Sequence, residues 1–101
     1  MIIREWRGRA DKRNVEAYPK HFRTKVVPEL RQVAGFVGAD LSQRKLGDKV
    51  EFVVLTKWRS MEVIRGFAGD DVDKAVVEPG AVAALVDFDD RVSHYEVVET
   101  I

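Results

Sequence analysis

The chain has 101 residues, enough for one domain with a single core and no second lobe. Apolar residues make up 46% and charged residues 34%, the balance of a globular chain, and 17 Lys plus Arg against 17 Asp plus Glu leave no general attraction to nucleic acid or anionic lipid. The lack of cysteine excludes disulfides, thiolate nucleophiles and Cys-based zinc or iron–sulfur sites; with no leader-like N-terminus and no apolar run of membrane-spanning length, a soluble cytoplasmic protein with neither nucleic-acid nor membrane partners is the expectation.

In chain order, Met1 to Arg9 carries Ile2, Ile3 and Trp6 among charges and reads as a first strand. Asp11 or Asn14 is placed to cap a helix. Val15, Tyr18, Phe22, Val26, Leu30 and Val33 then recur at intervals of three and four, which predicts a long amphipathic helix ending near Gly35. Pro28 lacks an amide hydrogen and should kink that helix or divide it after Val27. Phe36 to Arg44 reads as a second strand, weakened at Gly38, and Lys45 to Lys49 as a connection. Val50 to Trp58 is the best strand: Val50, Phe52, Val54, Thr56 and Trp58 share one face, and Glu51, Val53, Leu55 and Lys57 the other.

Ser60 is a cap for a second helix whose apolar face is Met61, Ile64, Phe67 and Ala68, with Gly69 at its end. Asp70 to Val77 is expected to add a short helical turn, and Ala81 to Leu85 a last short helix after the Glu78-Pro79-Gly80 break. Phe88 to Arg91 reads as a connection and Val92 to Glu99 as a final strand. This order matches an α+β fold of the ferredoxin-like, split βαβ kind, a four-stranded antiparallel sheet with helices on one face. Both faces of the Val50 to Trp58 strand are apolar at its middle, so a second copy is expected to cover the open face, giving a homodimer through the sheets.

The stretches VVPELRQVAGFVGADL, FVVLTKWRSMEVIRGFAG and RVSHYEVVE, in that order and separation, resemble the antibiotic biosynthesis monooxygenase-like family of dimeric α/β barrels, and nearly the whole chain, 1–101, lies on that pattern as a single domain. The resemblance implies a dimer and, in some members, oxygenation of an aromatic, polyketide or quinone-like substrate by dioxygen without flavin or metal. It also implies a runner-up, haem degradation. That branch would place an asparagine in the first strand and an iron-binding histidine after the second helix, where this chain has Arg4, Glu5 and Trp6, and Asp73 to Val77. A non-catalytic dimeric binding protein for a hydrophobic metabolite is the reading from another class.

The candidate chemistry rests on residue type. Trp58 closes a core or walls a pocket, where it would stack on a planar ligand and offer it an indole hydrogen. His94 and His21 are the only histidines and the candidate bases, since an imidazole titrates near neutrality. Tyr18 lies three residues before His21 on the same helical side, so the pair presents a phenol and an imidazole together. Arg4, Trp6, Phe22, Arg65 and Phe67 complete the expected lining, with Arg65 a candidate for stabilising an enolate or phenolate. No spacing signals a metal site, a calcium loop or a dinucleotide-binding turn.

Overall fold

The computed structural model describes residues 1–101. Its elements are β1 (Ile2–Asp11), α1 (Ala17–His21), a π-helical turn (Phe22–Val26), α2 (Val27–Leu30), β2 (Phe36–Leu46), β3 (Lys49–Trp58), α3 (Met61–Ala68), α4 (Pro79–Ala84), β4 (Asp87–Phe88) and β5 (Ser93–Glu96). The sheet is antiparallel with the order β2-β3-β1, and β4 and β5 both pair with the remaining edge of β1, at Gly8 and Arg9 and at Ile2 to Glu5 respectively. The ferredoxin-like reading of the sequence is therefore observed, with the fourth strand position divided between two short segments.

Alternation along β1 and β3 decides what meets the helices. Ile2, Arg4, Trp6, Gly8 and Ala10 pair with Trp58, Thr56, Val54, Phe52 and Val50, and every member of the β3 set is buried. The opposite face holds Ile3, Val53, Leu55 and Tyr95 beside an ionic cluster centred on buried Glu51, which accepts from Arg44 Nε at 2.8 Å and from Arg9 Nη1 at 3.2 Å. Arg9 also pairs with Asp87 and Asp89. Burial alone would raise the Glu51 carboxyl, but its bonds to Arg44 and Arg9 outweigh that and hold it below the usual range.

The turn between β2 and β3 is tight because Gly47 takes a φ of 62°, a conformation that costs most other residues dearly. This makes both strands longer than their sequence suggests: β2 reaches Leu46 and β3 begins at Lys49. The helical run from Ala17 to Leu30 is not cut after Val27. Its irregularity lies ahead of Pro28, where Val27 N donates to Phe22 O, five residues back, so the backbone widens before the residue that cannot donate. The run stops at Leu30 rather than near Gly35.

Residues 70–77 form no helix, contrary to expectation. Asp71 is held by Arg91 at 2.8 and 3.0 Å, Ala75 N donates to Asp90 O and Val92 N to Asp73 O, so the segment pairs with the distant C-terminal stretch. That pairing leaves the carbonyls of Val72 and Lys74 available to a side chain, which a helix would not. The core forms two clusters. Ala10, Tyr18, Val50, Phe52, Val54, Ala81 and Ala84 make one, and Leu30, Trp58 and Ile64 the other.

Candidate functional site

A cavity of about 170 Å³ lies where the two clusters meet. Trp6, Tyr18, Val54, Val77 and Ala81 come to its wall from the first cluster, and Val26, Leu30, Trp58 and Phe67 from the second. Arg4, His21, Glu29, Thr56 and Glu78 supply its polar groups. The space is close to the ~150 Å³ of an apolar cavity that takes up one benzene ring, and below the roughly 300–1,000 Å³ of pockets for larger ligands.

Trp58 answers to both of its sequence readings. It is 0% exposed, with its ring 5.3 Å from that of Phe36 and 5.2 Å from that of Phe67, and it lines the cavity as well. Its expected donation to a ligand is not available. Trp58 Nε1 donates to Thr56 Oγ1 at 2.8 Å, and the Thr56 hydroxyl donates in turn to Arg4 O at 3.4 Å. Trp6 is similar: it lines the cavity while its Nε1 donates to Asp89 O at 2.8 Å. Both indoles therefore offer a ligand their faces and no hydrogen bond.

The helical pair behaves as its spacing suggests. Tyr18 and His21 both line the cavity with ring centroids 6.0 Å apart, and Tyr18 lies 5.8 Å from Trp6 and 5.4 Å from Phe52. Burial, reinforced by the negative charge of Glu78, drives the Tyr18 phenol far above its ordinary pKa, so it remains a neutral hydroxyl. His21 Nε2 is buried and makes no hydrogen bond; its closest ion-pair oxygen is Glu78 Oε1 at 4.0 Å. Burial, then the neighbouring Glu29 carboxyl, push Glu78 above the usual carboxylate value.

Glu29 and Glu78 were not among the residues singled out from the sequence. A signal for Glu29 exists: it stands three residues after Val26 and seven after Phe22, on the apolar stripe itself, where a carboxylate is out of place. Glu78 comes to the site through the approach of α4 to α1, and Gly80 makes that approach possible. A Cβ at Gly80 would stand 2.6 Å from His21 Nδ1 and 2.7 Å from its Cε1.

Arg4 is 5% exposed on the helix-facing side of β1 and donates from Nη1 to Val72 O at 2.6 Å and from Nη2 to Lys74 O at 2.9 Å. Its Nη1 is also 3.0 Å from His94 Nε2. Since a guanidinium can only donate, Nε2 must accept, which places the imidazole proton on Nδ1, 3.1 Å from Asp73 Oδ1. Burial, and then the Arg4 charge, push His94 below its ordinary pKa against the pull of Asp73, so the neutral ring is favoured. His94 thus stands behind Arg4 with both ring nitrogens engaged, and it is absent from the cavity wall.

Two other expected residues lie elsewhere. Phe22 packs at the edge of the first cluster and borders a shallow groove with Pro19, Arg23, Val27, Arg31 and Leu41; Arg65 is exposed on α3. The geometry brings together Arg4, Trp6, Tyr18, His21, Trp58 and Phe67 and leaves Phe22, Arg65 and His94 off the wall.

A family model described as antibiotic biosynthesis monooxygenase matches residues 1–86. No curated protein matches the chain. Among solved structures, a candidate antibiotic biosynthesis monooxygenase from Bacillus cereus superposes with a TM-score of 0.68 at 15% identity, over 99% of this chain and 95% of that one. Another from Deinococcus radiodurans gives 0.63 at 17% identity, over 100% and 96% of the two chains. A mutant of MhuD with two manganese protoporphyrin IX molecules bound per active site gives 0.63 at 15% identity, over 100% and 98%. At these identities the structural likeness shows a shared fold.

The cavity, at about 170 Å³, is smaller than a porphyrin of the kind bound by MhuD; of the two histidines, His94 has both nitrogens committed, and His21 Nε2 is an imidazole nitrogen free on the wall.

Proposed function

The chain belongs to the antibiotic biosynthesis monooxygenase family, and from that premise we propose that it oxygenates a small electron-rich aromatic of the hydroquinone type, with dioxygen and no resident cofactor. The observation that carries this reading is the buried His21 Nε2, free of hydrogen bonds, on the wall of an aromatic cavity. In the proposed reaction His21 removes a proton from the substrate, and the resulting anion passes one electron to dioxygen. The radical pair combines to a peroxide at carbon. Loss of water then leaves a new carbon–oxygen double bond, with one oxygen atom in the product, the other in water, and both reducing electrons drawn from the substrate.

The faces of Trp6, Trp58 and Phe67 would hold the ring, and the neutral Tyr18 hydroxyl would donate to the oxygen where charge develops. Glu78, 4.0 Å from His21 Nε2, and the half-exposed Glu29 next to it offer the proton a path toward solvent. Purified protein given a panel of single-ring hydroquinones should consume oxygen and substrate in equal amounts without added reductant. No uptake across the panel, or uptake unaffected by His21→Gln, would overturn the reading; ligand binding without turnover would favour a binding protein for a hydrophobic metabolite.

We further propose that a second copy of the chain covers the open sheet face, where Val53 and Leu55 are already half-buried between charged neighbours. Sedimentation of the wild type at micromolar concentration should give a dimer, and Leu55→Glu a folded monomer. A wild-type monomer under those conditions would remove the homodimer from the proposal.

A further inference from the structure

We propose that Arg4 is an anion subsite within the cavity and that the ligand is accordingly an aromatic acid, its ring among the tryptophans and its carboxylate on the guanidinium. This names the substrate class for the same cavity and rests on reading that cavity as a ligand site.

The hydrogens of the guanidinium are not all used. Val72 O and His94 Nε2 take the two on Nη1, and Lys74 O takes one on Nη2. The Nε hydrogen and the second Nη2 hydrogen have no acceptor in the protein, and Arg4 contributes to the cavity wall. Nε and Nη2 are the neighbouring nitrogens that a carboxylate bridges with two parallel bonds.

Charge leads to the same place. Arg4 is 5% exposed and forms no ion pair with a carboxylate, for Asp73 is spent on the His94 ring. A buried cation without a direct counter-ion is costly, and arginine cannot escape the cost by losing its proton at neutral pH. Asp73 acts on Arg4 only from a distance, and Glu29 and Glu78, on the same wall, do not pair with it; an anionic ligand would supply the direct partner it lacks.

The support around Arg4 is built rather than incidental. Two backbone carbonyls and a histidine, itself oriented by Asp73, fix the guanidinium from the outer side, and Phe67 lies 5.9 Å from its Cζ. His94 is a positioning residue in this arrangement: it holds Arg4 and does not touch the ligand.

The test uses binding without turnover. Under anaerobic conditions the protein is titrated with 4-hydroxybenzoate and with the neutral 4-hydroxybenzamide, following quenching of tryptophan fluorescence and confirming by calorimetry. The acid should bind roughly 10- to 100-fold more tightly than the amide, as expected of one charge-assisted pair. Arg4→Gln should abolish the preference, and His94→Gln should reduce it.

Equal affinity of the wild type for the two compounds would overturn the proposal, and that comparison stands even if Arg4→Gln fails to fold. Acid-selective binding with no oxygen uptake would remove the oxygenase reading alone. Oxygen uptake with neutral substrates and no acid preference would remove the anion subsite alone.

Discussion

Replacing Trp58 with alanine is expected to lower the unfolding free energy by about 3–5 kcal/mol, the usual consequence of deleting a large buried aromatic side chain. The indole is 0% exposed, flanked by Phe36 and Phe67, and centred in the smaller core cluster with Leu30 and Ile64. Its removal also takes from Thr56 Oγ1 the hydrogen it now accepts at 2.8 Å. The void would adjoin an existing cavity, so the site has little means of collapsing to recover the loss. Trp58→Phe should cost less, since a ring remains. Arg65→Ala, on the exposed side of α3, should stay within about 0.5 kcal/mol of the wild type. Urea unfolding at one fixed protein concentration measures all three, the fixed concentration being needed because self-association would add to apparent stability. A loss below about 1 kcal/mol for Trp58→Ala would mean that the indole only lines a cavity and that the second cluster holds without it.

The parts of this fold that the sequence discloses are those written in short-range periodicity. The set Val50, Phe52, Val54, Thr56 and Trp58 shows its buried face by alternation, and the Tyr18 and His21 pair shows its common direction by helical spacing. Ser60 caps α3 as expected, accepting from Val63 N at 3.2 Å. What the sequence conceals depends on residues far apart in the chain. The acidic start of residues 70–77 looks like a helix N-terminus, yet Asp71 is claimed by Arg91. β4 has two residues, too few for a periodic signal, and it exists because Gly8 and Arg9 offer it a free edge.

The site divides along the same line. Cavity-lining aromatics and His21 are readable as residue types on apolar faces. The assembly of Asp73, His94 and Arg4 brings together the two ends of the chain and requires β5 to lie against β1. No local pattern distinguishes a histidine that orients an arginine from one that meets a substrate. The same is true of the two indole hydrogens, whose acceptors, Thr56 Oγ1 and Asp89 O, are known only once the strands are paired.

His21→Gln is expected to lower kcat by roughly 100- to 10,000-fold with any aromatic that turns over, the range attached to loss of a general base. The informative companion is Gly80→Ala, which leaves the imidazole in the molecule. Gly80 stands in the first turn of α4, where alanine is a better helix former by up to about 1 kcal/mol, so backbone propensity argues against a loss of stability. Its new methyl, however, would fall 2.6 Å from His21 Nδ1, and the ring would have to swing away. Misplacing a catalytic group by an ångström can cost on the order of 100-fold, so kcat should fall by a comparable factor although the base is still present. Steady-state rates, thermal unfolding and the His21 ring resonances in proton spectra provide the three readouts. A displaced ring with an unchanged melting temperature and a depressed kcat would locate the base at His21. If the ring moves and kcat does not, another group removes the proton; Tyr18 is a poor substitute, because burial keeps its phenol protonated, and the cavity would then act on ligands that arrive already ionised, with Arg4 meeting their charge.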